Sequence, residues 1–253
     1  MKITFLGTET SQGIPVVACP CNVCHSTEKK DKRLRTSVLI ETGDKIFTID
    51  AGPDFRYQML RNKVEHLDAI LITHSHKDHI GGLDDVRSFN YLQRKAMDVY
   101  AAPRHQEEII REYSYAFQEY PYPGVPNFNL IDINDKPFYM GNTKVIPIPV
   151  MHMSMEVTGF RIGDFAYITD ANYIPGNILA RLLDCKIIVL NALRKKHHLS
   201  HYNLEEAVNV LEFLRPQKAY ITHISHLMGF HNEVNEELPE FIELAYDGLQ
   251  IEI

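Results

Sequence analysis

The sequence predicts a mixed α/β (α+β) fold, with sheets inside and helices outside. Three features point there. Short β-rich runs recur along the whole chain, hairpin turns join several of them, and helix-like stretches separate others. The first run, KITFLG (Lys2 to Gly7), reads as a strand. SVLIET (Ser37 to Thr42) and KIFTID (Lys45 to Asp50) flank TGDK, whose Gly-Asp pair suits a tight hairpin turn. A helix is expected over Asp54 to Lys63, then the strand LDAILIT (Leu67 to Thr73), a helix over Lys77 to Lys95, the strand MDVYA (Met97 to Ala101) and a helix over Pro103 to Glu119. KVIPIPV (Lys144 to Val150), VTGFRI (Val157 to Ile162) and FAYITD (Phe165 to Asp170) are strands, the last two joined through the turn in RIGDFAY. A helix over Pro175 to Leu183 precedes CKIIVLN (Cys185 to Asn191). The next helix, Asn203 to Leu214, has a capping Asn203 with Glu205 and Glu206 in its first turn. KAYITH (Lys218 to His223) and LQIEI (Leu249 to Ile253) complete the set. YSYAFQEYPYPGVPNF (Tyr113 to Phe128), rich in Tyr and Pro, is expected to leave the regular core as a packed loop, a lid or a dimer contact.

The chain has 253 residues, 45% apolar and 23% charged. That is enough for one large core or two modest ones. With no repeat, no low-complexity tract and no clear linker, a single domain over residues 1–253 is the simpler expectation. No apolar run reaches the roughly 18 residues a membrane span needs, and the first apolar patch is too short for a signal peptide. A soluble, cytoplasmic protein is expected, since the four cysteines show no paired framework. The formal charge is −7, from 26 basic and 33 acidic residues, which argues against a nucleic-acid partner. The basic runs KKDKRLR (Lys29 to Arg35) and LRKKHH (Leu193 to His198) read as solvated surface. Cys185, among apolar residues, reads as a buried core thiol.

The strongest chemical signal is ILITHSHKDHIGGL (Ile70 to Leu83). An apolar strand ends, and His74, His76, Asp78 and His79 follow at once. Alternate residues in extended chain point the same way, so His74 and His76 can share one ion. Asp78 and His79 fall where a helix starts and change direction, so one loop can serve two metals. Gly81 and Gly82 leave room for close backbone approach. The device recurs with His152 after KVIPIPV, Asp170 after FAYIT and His223 after KAYIT, each just beyond an apolar strand. Imidazole and carboxylate suit zinc, manganese or iron, and seven residues suffice for two ions if one carboxylate bridges. Asp50, before Gly52, is either a turn residue or an orienting carboxylate.

THSHKDH with the later His152, Asp170 and His223 resembles the metallo-β-lactamase superfamily of hydrolases, whose motif is His-x-His-x-Asp-His. The resemblance covers essentially the whole chain. It implies a four-layer αββα sandwich, the metallo-β-lactamase fold. It also implies one ion held by His74, His76 and His152, a second held by Asp78, His79 and His223, and Asp170 between them. One departure is Glu9, where the superfamily often has glycine, so the first loop is expected to differ in shape.

CPCNVC near the start, with THISH near the end, is similar to the phosphoribosyl 1,2-cyclic phosphate phosphodiesterase group. That likeness implies a structural zinc on Cys19, Cys21, Cys24 and His226, a common closed donor set. His25 and Cys185 compete for the fourth position. The histidine of LSHYNLEEA, His201, is implied as a general acid, with Asp78 also counted among the catalytic residues. His66, His105 and His231 receive no role. The implied function is hydrolysis of a small (cyclic) phosphodiester by hydroxide shared between two divalent ions, Zn2+ or Mn2+. The other readings are a tRNA 3′-processing endoribonuclease, a thioester or lactone hydrolase, and a non-catalytic accessory protein like the PQQ-biosynthesis member. A small-molecule substrate and no membrane are expected, and such proteins often form homodimers.

Overall fold

The computed structural model describes residues 1–253. In chain order the elements are β1 (Lys2–Gly7), α1 (Asn22–His25), β2 (Ser37–Glu41), β3 (Ile46–Ile49), α2 (Phe55–Arg61), β4 (Ala69–Leu71), α3 (Lys77–Ile80), α4 (Arg87–Gln93), β5 (Met97–Ala101), α5 (Pro103–Glu112), β6 (Phe128–Asp132), β7 (Phe138–Met140), β8 (Thr143–His152), β9 (Met155–Ile162), β10 (Phe165–Ile168), α6 (Gly176–Leu179), β11 (Ile187–Asn191), α7 (Leu204–Leu214), β12 (Lys218–Thr222), α8 (His231–Glu237), β13 (Ile242–Leu244) and β14 (Gln250–Glu252).

The strands form two seven-stranded sheets, ordered β14-β1-β2-β3-β4-β5-β6 and β13-β12-β11-β10-β9-β8-β7. Each sheet is half antiparallel and half parallel. β3 to β6 run parallel to one another, as do β10 to β13. Strict alternation along each strand explains the layering. In β4, Ala69 and Leu71 enter the core between the sheets, while Ile70 turns to the helices. The inter-sheet core gathers Phe5, Phe47, Phe160 and Tyr167. One outer core packs α2, α4 and α5 through Phe55, Phe89 and Ile109. The other packs α6, α7 and α8 through Ile178, Leu211 and Val234. The result is the four-layer αββα sandwich. Strands buried on both faces read as continuous apolar runs, as seen in the sequence.

Parallel strands within a sheet end at one edge, and there the chain turns sharply. Asp50, Asp170 and His223, each just past a strand, have left-handed backbone (φ 65°, 58° and 56°). That conformation costs a non-glycine residue energy but swings its side chain out of the strand's alternation toward the rim. Glycine provides the close approaches beneath. A Cβ on Gly52 would lie 2.0 Å from the Asp78 carbonyl oxygen, and one on Gly82 would lie 2.1 Å from the Gly52 carbonyl oxygen.

Several elements differ from expectation. The helix foreseen over Lys77 to Lys95 is broken at Gly81 and Gly82 into α3, a 3-10 turn over Leu83–Val86, and α4. α5 stops at Glu112, where the buried Tyr113 hydroxyl donates to the Ile80 carbonyl. Phe117 and Phe128 stack beyond it, whereas Tyr120 and Tyr122 stand exposed. β6, β7, β13 and α8 carry no clear sequence signal, being short and only partly buried. The Asn203 cap forms as expected, in a reciprocal capping box with Glu206.

The basic run Lys29 to Arg35 is not simply solvated. Arg33 is buried and donates to Thr8 Oγ1 (2.7 Å), to the Ala245 carbonyl and toward His231 Nδ1 (3.1 Å). Asp247 accepts from Thr8 and from the Leu34 N–H, clamping the two ends of the chain together. Burial, reinforced by the Arg33 charge, pushes His231 down to about 4. An unfolded histidine titrates near 6.5, so between those values the unfolded chain takes up a proton that the folded chain refuses. The resulting stability is complete above about pH 6.5 and is lost as pH falls toward about 4. Urea melts should therefore show a smaller loss between about pH 7 and about pH 4.5 in His231→Gln than in the unaltered chain. Equal losses would remove His231 from the acid response.

Candidate metal centre

The loop after β4 is organised around Asp50. Its carboxylate accepts from the Thr73 N–H (2.8 Å), from the Thr73 hydroxyl (2.9 Å) and from His79 Nδ1 (2.7 Å). With its proton committed to Asp50, the Thr73 hydroxyl oxygen can accept from His74 Nδ1 at 3.0 Å. Both imidazoles thus commit Nδ1 to these bonds and turn Nε2 inward. His152 reaches the same state differently, since its Nδ1 lies 2.8 Å from the Ser200 carbonyl oxygen and 3.0 Å from that of Asp170.

The free nitrogens converge on Asp170. Its Oδ2 is 3.2 Å from His79 Nε2. Its Oδ1 is 3.2 Å from His223 Nε2, 3.8 Å from His201 Nδ1 and 4.0 Å from His74 Nε2. Asp78 Oδ2 lies 3.4 Å from His79 Nε2 and 3.7 Å from His223 Nε2. Three overlapping groups result: His74, His79 and Asp170; Asp78, His79 and His223; His152, Asp170 and His201. Within each, one donor atom per residue lies within 4.8 Å of the others.

The second expected trio is therefore brought together as such. The rings of the first expected trio are neighbours too, His76 lying 4.5 Å from His74 and 5.3 Å from His152, with His74 and His152 6.0 Å apart; His76 is the exposed member, at the rim. His201, expected as an acid, lies beside Asp170, its Nδ1 3.8 Å from Asp170 Oδ1. Sequence reasoning missed Thr73, the Ser200 carbonyl and His105. The last, given no role, bonds through Nδ1 to Ser75 Oγ (3.1 Å), between His74 and His76.

Several buried nitrogens here have no hydrogen-bond partner: His74 Nε2, His79 Nε2, His201 Nδ1 and both nitrogens of His223. Orphaned buried polar atoms are costly. So many aimed at one place, among carboxylates, fit divalent cations with imidazole and carboxylate ligands. The electrostatics agree. Burial opposes protonation of His79, but Asp170, Asp78 and Asp50 outweigh it and hold His79 well above its usual range. Burial likewise opposes ionisation of Asp170, yet His223, His79 and His74 hold it well below the carboxylate range. The carboxylates thus supply a negative field that draws cations in.

A second donor cluster lies on the N-terminal loop. The thiols of Cys19, Cys21 and Cys24 lie 3.4, 3.3 and 3.7 Å from His226 Nδ1. Zn–S near 2.3 Å and Zn–N near 2.0 Å at a tetrahedral angle imply about 3.5 Å, so the four fit that ion. The hydrogen bond with His226 pulls the Cys21 thiol down to about 6, whereas burial pushes Cys24 up to about 11. Neither competitor reaches the cluster. His25 points to solvent, and Cys185 is buried in the core beside α6 and α7. Glu9 turns inward with one oxygen taking the Gly13 N–H, the other unpartnered, and burial raises it to about 7.

Fold and site together define a metal-binding αββα sandwich with its ligands at one rim. The beta-lactamase superfamily domain profile matches residues 46–224, and the chain belongs to that superfamily. A solved structure described as a diphosphatase from the PhnP family superposes with a TM-score of 0.93 at 38% identity, covering 100% of this chain and 97% of that one. A protein of Porphyromonas gingivalis named octanoyltransferase is 38% identical over 253 residues, 99% of this chain and 51% of the relative. A ribonuclease Z of Staphylococcus epidermidis is 26% identical over 183 residues, 70% of this chain and 52% of the relative. The chain spans about half the length of these curated relatives.

Two outcomes check the geometry. Asp50→Asn should weaken metal binding roughly 10- to 100-fold in chelator competition, because His79 loses its orienting carboxylate. Unchanged affinity would leave Asp50 as a turn residue only. Cys21→Ser should lose about one ion per chain by elemental analysis while the rim retains its own. Loss of none would show that the thiols hold no metal.

Proposed function

We propose that this chain is a metal-dependent phosphodiesterase acting on small phosphodiesters. The observation that carries the reading is the convergence of free imidazole nitrogens on Asp170, with Asp78 alongside. Zinc or manganese would be held by His74, His79, Asp78, His152, Asp170 and His223, with His76 closing from the rim, and zinc by the cysteine cluster. When bound, such ions act as Lewis acids on phosphoryl oxygens and make water nucleophilic at neutral pH. The chain's own part is placement. Asp50, Thr73 and Ser200 fix the tautomers and spare the site reorganisation.

His201 lies beside the reacting space, its ring 4.6 Å from His152 and 4.9 Å from His223. Burial, with the His223 charge, pushes it down to about 3. At neutral pH it is therefore an uncharged N–H donor in the free protein. Acting as an acid toward the departing oxygen requires the charge of a bound phosphate to raise it.

The neighbour described as a diphosphatase and the ribonuclease Z relatives support phosphorus–oxygen chemistry. The charge of −7 favours a small substrate over RNA. No helix is long and apolar enough to cross a membrane. A second reading is thioester or lactone hydrolysis; the name octanoyltransferase belongs to a relative of which this chain matches about half. Zinc- and manganese-loaded protein should turn over bis(p-nitrophenyl) phosphate, and Asp170→Ala should lower kcat/KM at least about 100-fold. Equal turnover by both proteins, or activity on a thioester with none on the diester, would reject the phosphodiesterase reading.

A further inference from the structure

We propose that a cleft beside the metal rim is a binding site for an oxyanion, a phosphate or carboxylate group, with Arg181 as its anchor. The cleft, about 650 Å3, lies between the ends of β5 and β6 on one side and β8 and α6 on the other. That volume is in the range of small-molecule sites.

Arg181 is held in an unusual way. Its Nη1 donates to the carbonyl oxygens of Asp135 and Pro147, both at 2.9 Å. Its own carbonyl accepts from Arg161 Nη1. The guanidinium is thus fixed through hydrogen bonds to neutral carbonyls, with no carboxylate hydrogen-bonded to it. The nearest carboxylate oxygen, Asp135 Oδ2, is 4.0 Å from Nη2, beyond hydrogen-bond reach, on a side chain 66% exposed and so screened by water. Nε and Nη2 make no hydrogen bond within the chain. Those two N–H groups form one edge of the planar fork, and that edge matches two oxygens of a phosphate or carboxylate.

The cleft also carries the carboxylates Asp135 and Glu156, but two side-chain amides beside Arg181 can serve the same ligand. Asn177, exposed on α6, has an uncommitted side-chain amide, and Asn134 uses only its oxygen, which accepts from the Lys136 N–H. Arg104 differs, since Glu156 takes its charge through Nη2 at 2.8 Å. Arg181 is therefore the one arginine of the cleft free to meet an anion. Pro149 and Met151 give an apolar wall for the carbon skeleton of an organic anion. The site adjoins the metal loop, because Met151 precedes His152 and Arg104 precedes His105, the partner of Ser75. The inference does not depend on the phosphodiesterase reading.

The test is NMR on zinc-loaded, 15N-labelled protein, following the Arg181 Nε–H resonance, assigned by its absence in Arg181→Met. Inorganic phosphate in one arm and succinate in another are added at constant ionic strength. Saturable movement of that resonance in either arm, with Kd on the order of 1 mM, is expected, and the arm with the lower Kd identifies the group. Asn177→Ala, which alters only an exposed side chain, should weaken binding about 3- to 10-fold, so the proposal stays testable even if Arg181→Met fails to fold. An Arg181 resonance unmoved in both arms, or an affinity unaltered in Asn177→Ala, would overturn it.

Discussion

One buried carboxylate organises the functional end of this molecule. Asp50 is fully enclosed, and enclosure alone raises its pKa; His79 and Thr73 oppose that rise through charge and hydrogen bonds. Burying such a group costs several kcal/mol unless every lone pair is met. Here the partners are the backbone and hydroxyl of Thr73 and the ring of His79. The same bonds turn two imidazoles so that their second nitrogens meet in front of Asp170. Stability and site geometry are thus consequences of one set of contacts.

That economy has a limit, and the protein reaches it at the rim. Nitrogens of His74, His79, His201 and His223 lack partners in the chain, although each is enclosed. A folded protein rarely tolerates so many orphans together. Their cost is the energetic counterpart of metal affinity: what destabilises the empty arrangement favours the occupied one. The surrounding network resists collapse of the rim. Thr158 donates its N–H to the Thr73 carbonyl across the two sheets, and Ile224 donates to Thr8 across from the first loop.

The cysteine cluster extends the same logic toward the N-terminus. His223 and His226 leave one short loop in different directions. One meets Asp170, and the other meets three thiols from the loop after β1. That loop is otherwise held by a small apolar cluster of Ile14, Val23 and Cys24, by the paired backbone bonds between Ile14 and Arg33, and by Lys32 donating to the Cys24 carbonyl. Arg33, behind it, is bound into the far end of the chain through Ala245 and His231. The first loop is thereby joined to the loop that carries His223, although its cysteines lie 207, 205 and 202 residues from His226.

Much of the fold was legible from residues alone. Continuous apolar runs marked the central strands, Asn203 marked a helix start, and Gly-Asp pairs marked turns, because each signal is local. The short edge strands β6, β7 and β13 were not legible, since their identity depends on a partner strand distant in sequence. At the site, the sequence determined which imidazoles, carboxylates and thiols are available and that most follow a strand end. Only the tertiary structure decided which ring nitrogen faces inward, that His76 stands exposed at the rim while His201 is enclosed beside Asp170, and that Arg33 is buried. The reason is physical. A tautomer and a rotamer are set by hydrogen-bond partners, and these lie 23, 29 and 48 residues away for Thr73, His79 and His152. Left-handed backbone at Asp50, Asp170 and His223 persists only because packing on every side enforces it.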